Sequence, residues 1–103
     1  MTEKENIGKI KDNNHYQIIG RRWFDSKWGN TYHSVQVFVN NQLVGEEPYA
    51  YGYDDQYIQT AFEILQEHGY FADKSYYDFN DDRRYNRDRF LITVSDVKRK
   101  RDL

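Results

Sequence analysis

The clearest hydrophobic pattern in the chain lies in residues 53–70 and has the period of an α-helix. Apolar residues recur there at i, i+3, i+4 and i+7, which places them on one helix face: Ile58, Ala61, Phe62 and Leu65. Asp54 or Asp55 can cap the start of this helix and complement its dipole. Gly69 suits the left-handed residue that follows a helix, and Tyr70 can then pack back on the last turn. We therefore predict one amphipathic helix with a buried face.

Alternating apolar and polar residues predict four β-strands around this helix. Three precede it and one follows it, at His15–Phe24, Thr31–Val39, Gln42 to about Tyr53, and Phe90–Val94. Residues 72–88 are charged and carry four aromatic rings without a clear period, so we predict a loop there, either functional or disordered. The order β-β-β-α-β predicts an α+β fold, an antiparallel β-sheet with one amphipathic helix packed on one face.

Two local signals concern the pairing of the second and third strands. Asn40-Asn41 is a plausible two-residue hairpin turn, because asparagine tolerates positive φ. This turn sets Phe38 opposite Leu43, and Val37 opposite Val44. Pro48 interrupts the third strand and has no N–H to donate, so this strand should be an edge strand or contain a bulge.

Length and composition indicate one small domain. In a chain of 103 residues we expect a flexible N-terminal arm (residues 1–14), a single α+β domain (residues 15–97) and a basic C-terminal tail (residues 98–103). There is no cysteine, so disulfide and thiolate chemistry are excluded. No apolar segment resembles a secretory signal or could span a bilayer, so we expect a cytoplasmic protein without membrane contact.

The formal net charge of −2 conceals a strong segregation of charge along the sequence. Between Trp28 and Asp73 there is no lysine or arginine, whereas the same window holds seven acidic residues. The second strand, the third strand and the helix therefore form a unit without a cation, which favours a negative field at its surface.

Tyrosines and acids coincide near the third strand and the helix start, which predicts a contact surface for a protein with a basic surface. The residues of this predicted protein-binding set are Glu46, Glu47, Tyr49, Tyr51, Tyr53, Asp54 and Asp55. In this interpretation the chain is a small non-enzymatic binding module that needs no cofactor. The simpler alternative is that the tyrosines cover the sheet and the acids keep a small domain soluble.

Two basic clusters support nucleic-acid binding as an alternative function, since cations beside aromatic rings suit phosphates and bases. This alternative set comprises Arg21, Arg22, Trp23, Lys27 and Trp28, with Lys98, Arg99, Lys100 and Arg101 in the tail. A terminal basic run is also commonly a solvated chain end.

Candidate catalytic and metal-binding residues are few. His15, His33 and His68 belong to three different predicted elements and form no metal-binding motif. The adjacent acids Glu46 and Glu47 point to opposite faces of a strand, so they make a poor acid–base pair. We therefore expect neither an enzyme nor a metal site.

The order of predicted elements from His15 to Glu67 resembles the last part of a double-stranded-RNA-binding domain. It consists of three strands followed by a helix, with a loop that carries Gly29 and His33 between the first two strands. Such domains open this helix with lysines that hold phosphates. Here Asp54, Asp55 and Gln56 occupy that place, so RNA binding is not carried over.

Three further segments, RRWF, GNTYHSV and YGYDDQYIQTA, are similar to small uncharacterised proteins of bacteriophages and prophages. That resemblance implies a host-directed accessory role, in which a small acidic protein binds or inhibits a basic host factor. The acidic face would then act as a mimic of nucleic acid.

Overall fold

The computed structural model describes residues 13–103, and the predicted arm therefore lies almost entirely outside the described residues. Six main elements follow one another along the chain: β1 (Tyr16–Asp25), β2 (Asn30–Val39), β3 (Gln42–Tyr51), α1 (Gln56–Glu67), α2 (Tyr76–Tyr85) and β4 (Phe90–Val97). Short 3₁₀ turns lie before and after β4, at Arg87–Arg89 and Lys100–Asp102. The fold is α+β, as predicted, with one helix more than the pattern indicated.

The four strands form one mixed sheet in the order β3-β2-β1-β4. β2 is antiparallel to both β1 and β3, but β4 runs parallel to β1, from Phe90 beside Tyr16 to Val97 beside Trp23. The predicted all-antiparallel sheet is therefore wrong at this pair. The reason is that α1 returns the chain to the end of the sheet where β1 begins, so β4 starts beside the first residue of β1 and runs with it.

The predicted hairpin turn between β2 and β3 is confirmed, since Asn40 and Asn41 have φ values of 52° and 68°. Phe38 lies opposite Leu43, as predicted. One residue further the prediction is wrong, because the register shifts there and Val37 lies opposite Gly45 instead of Val44. A second register shift lies between His33 and Val35 of β2. Their partners in β3 are Ala50 and Glu47, so Pro48 lies within this irregular part of β3. β3 is thus an irregular edge strand, as the proline indicated.

α1 buries the predicted apolar stripe against the sheet, with Ala61 and Leu65 both fully buried. Tyr57 and Ile64 are buried as well, so the apolar face is wider than the stripe. The helix can approach the sheet closely because it packs over two glycines. A Cβ atom at Gly20 would lie 2.5 Å from the ring of Tyr57, and one at Gly45 would lie 2.5 Å from Ile64 Cγ2.

The two ends of α1 differ in how well the sequence predicts them. Gly69 has a φ of 87°, and the N–H groups of Gly69 and Tyr70 donate to the carbonyls of Gln66 and Leu65 at 3.0 and 2.9 Å. This is the predicted glycine-terminated helix end. At the other end Asp55 occupies the N-cap position, but its side chain makes no capping hydrogen bond. Side-chain capping by an aspartate is therefore not observed.

The predicted loop at residues 72–88 is wrong in its centre, where residues 76–85 form the second helix, α2. Ser75 caps this helix by accepting a hydrogen bond from the Asp78 N–H at 3.1 Å, and the Asp78 carboxylate accepts from the Ser75 N–H at 3.3 Å. Phe79, in the middle of α2, is fully buried among aromatic rings, with its ring centroid 4.9 Å from that of Phe62 and 5.8 Å from that of Phe90. α2 therefore closes one end of the core.

Candidate binding surface on the open sheet face

The helices α1 and α2 pack on one face of the sheet, and within residues 13–103 the opposite face, here called the open face, is covered by neither of them and is reached only by the tail. Side chains alternate along β1, so that Tyr16 and Ile18 are buried under the helices while Gln17 and Ile19 are only partly buried on the other side. A sheet face of this kind can be occupied by another molecule.

Four aromatic side chains form a cross-strand cluster at one end of the open face, here called the aromatic row: Trp23, Tyr32, Tyr49 and Tyr51. Trp23 and Tyr32 stack with their ring centroids 5.8 Å apart, and Tyr32 stacks on Tyr49 at 4.8 Å with only 14° between the planes. Tyr51 meets Tyr32 edge to face at 5.7 Å. The pairing of the strands produces this cluster, because Trp23 lies opposite Tyr32 and Tyr32 lies opposite Tyr51.

The basic tail ends on the aromatic row. β4 finishes at Val97 beside Trp23, and the 3₁₀ turn Lys100–Asp102 follows. The ammonium nitrogen of Lys100 lies 4.7 Å from the centroid of the Tyr49 ring, within the range of a cation–π interaction. Because β4 and β3 are opposite edges of the sheet, the tail crosses the open face to make this contact.

The structure divides the predicted protein-binding set between separate places. Tyr49 and Tyr51 belong to the aromatic row, and Glu46 lies on the same face, accepting a hydrogen bond from Gln36 Nε2 at 3.3 Å. Glu47 lies opposite buried Val35 on the helix-covered face. The remaining members follow the end of β3 and precede α1: Tyr53, Asp54 and Asp55.

The alternative basic set is divided as well. Arg21 is exposed on the open face with Trp23. Arg22 points to the other face, where its Nε lies 2.9 Å from Asp96 Oδ1 and its Nη1 donates to the Asp54 carbonyl at 3.2 Å. Lys27 and Trp28 lie in the turn between β1 and β2. The ammonium nitrogen of Lys27 is 5.5 Å from the centroid of the Trp28 ring. Of the tail cations, Lys100 is the one with a ring contact to the row.

A shallow groove of about 620 Å³ lies where the sheet extends beyond the start of α1. Exposed rings of Phe24, Tyr51 and Tyr53 line it, together with the Arg22–Asp96 ion pair. The groove adjoins the aromatic row through Tyr51. Arg22 and Asp96 in its wall neutralise each other, and the three rings offer apolar contact area beside the row.

His33 is a structural residue of the covered face. It is 1% exposed, with Nε2 2.8 Å from Thr60 Oγ1 and Nδ1 3.3 Å from the Gly52 carbonyl. Burial lowers its pKa, and this effect exceeds the opposing one of the Gly52 carbonyl. On the open face, burial and the neighbouring Tyr32 raise the pKa of Tyr49. His33 therefore joins β2 to α1 on the covered face.

Tyr32 is the residue at the centre of the row that the sequence interpretation missed. A signal for it was present: pairing Asp25 with Asn30 across the turn at residues 26–29 places Trp23 directly opposite Tyr32. The four rings come from three different strands, and the pairing registers of β1 with β2 and of β2 with β3 show that they contact one another.

Within residues 13–103, no group of three or more histidines and acids could hold a metal ion. No helix formed by these residues is long and apolar enough to cross a membrane. Comparisons with protein-family models, with curated proteins and with solved structures returned no match to this chain.

Proposed function

We propose that this protein is a non-enzymatic protein-binding module whose contact surface is the open face, with the aromatic row at its centre. The observation that carries the proposal is the collection of four rings from three strands on a face that neither α1 nor α2 covers. Tyrosine and tryptophan are enriched in the cores of protein interfaces, because they offer a large rigid area at low entropic cost. Tyr51 is 64% exposed and Tyr49 41%, so a partner would bury substantial apolar area there.

The orientation of the rings favours a protein over a nucleic acid. A base binds by stacking on the flat face of a ring. In the aromatic row, Tyr32 is stacked between Trp23 and Tyr49, and Lys100 lies over the ring of Tyr49. Tyr32 is therefore stacked on both neighbours and Tyr49 carries a cation, so neither ring is freely available to a base, and Tyr51 is the most exposed ring of the row.

The charge around the row supports a partner with a basic surface. β2, β3 and α1 contain no lysine or arginine, and Glu46 lies on the open face. Asp25, at the end of β1, is close enough to Tyr49 to contribute to its raised pKa. Together with the resemblance to phage accessory proteins, this supports a host-directed role in the cytoplasm, in which the module binds or inhibits a basic host factor.

Nucleic-acid binding is the second candidate function, and one observation favours it. Arg21 and Lys100 lie on the same face as the partly exposed Trp23. Cations beside aromatic rings are the usual elements of a single-strand binding surface.

Capture from a bacterial lysate, with and without nuclease, tests the proposal. The variant Tyr49→Ala/Tyr51→Ala removes two rings of the row. The variant Tyr77→Ala/Tyr85→Ala is a matched control, because these tyrosines of α2 are 73% and 68% exposed but lie outside the row.

We expect the wild type and the control to retain the same protein after nuclease treatment, and the row variant to lose it. Equal retention by both variants would refute the proposal. Capture that disappears with nuclease and with Arg21→Glu would establish the second candidate instead.

A further inference from the structure

The tail of this chain places a lysine side chain on the aromatic row. Lys100 is the third of four consecutive basic residues, yet within residues 13–103 its ammonium group makes no ion pair with a carboxylate. It lies instead over Tyr49, 4.7 Å from the ring centroid. The neighbouring Arg99 is engaged differently, with Nε 3.5 Å from Asp102 Oδ2.

We propose that Tyr49 and the row behind it form a subsite for a lysine side chain of the partner protein, and that Lys100 occupies this subsite as an internal competitor. The inference rests on the proposed function, and it specifies the partner's contact as a lysine-bearing segment. The tail then acts as a built-in substitute for the partner, which a true partner displaces.

The stacked rings explain the preference for a cation. Each aromatic ring has a negative face, so an ammonium group is attracted to it. Tyr49 is stacked on Tyr32, and the ammonium group of Lys100 lies over the same ring, 4.7 Å from its centroid. The Asp25 carboxylate near Tyr49 strengthens the preference for positive charge.

The tail competes effectively because it is attached to the same chain. Only Lys98 and Arg99 separate the last residue of β4 from Lys100, and so short a connection keeps the lysine at an effective concentration in the millimolar range. Removing this competitor should therefore strengthen binding of an added ligand by the factor that the internal contact contributes. For an exposed cation–π contact this factor is about two- to fivefold.

The contact itself can be tested in the full-length chain by NMR. The side-chain CH₂ protons of Lys100 should show an upfield ring-current shift in the wild type and in Tyr77→Ala. The shift should disappear in Tyr49→Ala. An unshifted Lys100 in the wild type would overturn the internal competitor.

The subsite can be tested with a fluorescent peptide of the sequence VKRKRDL, which repeats residues 97–103, at physiological salt. We expect Lys100→Ala in the full-length chain to lower the Kd of this peptide about two- to fivefold relative to the wild type. Lys98→Ala removes the same charge without a ring contact and should leave the Kd unchanged. Tyr49→Ala should raise it, and a peptide in which alanine replaces the lysine equivalent to Lys100 should bind more weakly to the wild type. Thermal melts confirm that each variant is folded.

Equal Kd values for Lys100→Ala and Lys98→Ala, or unimpaired binding by Tyr49→Ala, would overturn the subsite. These outcomes are separate from failure of the proposed function. If the row variant loses the lysate partner while the peptide binds Tyr49→Ala as tightly as the wild type, the open face is a binding surface but Tyr49 is not a lysine subsite. If the row variants keep the lysate partner, the proposed function itself fails.

Discussion

Phe79→Ala is the sharpest test of the core, because it probes the helix that the hydrophobic pattern did not reveal. Phe79 is fully buried, and its ring centroid lies 4.9 Å from that of Phe62, 5.2 Å from that of Phe71 and 5.8 Å from that of Phe90. These rings belong to α1, to the connection between the helices and to β4. The side chain therefore joins three separate parts of the chain.

The expected loss of stability follows from that burial. Truncating a buried phenylalanine to alanine costs about 3–5 kcal/mol, through lost transfer free energy and the cavity left behind. A domain of this size has a total stability of about 5–15 kcal/mol, so the variant should retain only part of its free energy of unfolding. With a urea m-value of about 1–3 kcal/mol/M, the midpoint of unfolding should fall by roughly 1–5 M.

Urea denaturation followed by circular dichroism measures this change. Tyr77→Ala, two residues earlier in α2 and 73% exposed, is the matched control and should stay within about 0.5 kcal/mol of the wild type. Phe79→Leu should fall between the two, because it restores most of the buried volume. If Phe79→Ala and Tyr77→Ala were equally stable, α2 would not close the core as described.

Three other outcomes follow from the packing and from the buried histidine. Phe62→Ala should lower the free energy of unfolding by about 3–5 kcal/mol, whereas Glu63→Ala, on the exposed side of α1, should change it by no more than about 0.5 kcal/mol. Equal losses in urea denaturation would mean that α1 does not pack on the sheet by the face that carries Phe62. Gly45→Ala should cost about 1–3 kcal/mol through its clash with Ile64, and a double-mutant cycle should show that this cost shrinks in an Ile64→Ala background; strict additivity would contradict the close approach. Because burial lowers the pKa of His33, the unfolded chain binds more protons than the folded one as pH falls through about 6.5. Stability should therefore decrease from pH 7 towards the folded-state pKa and level off below it, and His33→Asn should remove that part of the pH dependence.

The candidate site was only partly predictable. Tyr49 and Tyr51 were identified from their alternation in β3, and Trp23 from its neighbouring arginines, but they entered two competing interpretations. The strand registers place these rings on one face, with Tyr32 between them. Glu46 and Glu47, grouped by their adjacency, lie on opposite faces, since successive residues of a strand alternate.

The direction of β4 could have been inferred only by combining distant signals. Pro48 and the irregular pairing of β3 disfavour a further strand at that edge, which leaves the edge formed by β1. α1 brings the chain back to the start of β1, so a strand added there must be parallel. Pro48 and the helix α1 were visible in the sequence, but the strand order and registers that set the direction of β4 are properties of the whole sheet.

Sequence alone determined the features that depend on neighbours along the chain. The stripe of α1, the glycine at its end, the Asn40-Asn41 turn and the disruption at Pro48 all follow from local periodicity or backbone preference. α2 escaped detection because Phe79 is its one fully buried apolar residue, and a single ring sets no period. Tertiary structure alone decided the parallel strand, the aromatic row and the contact of Lys100 with Tyr49. Each joins residues that are distant in the sequence, and their proximity depends on register and strand order.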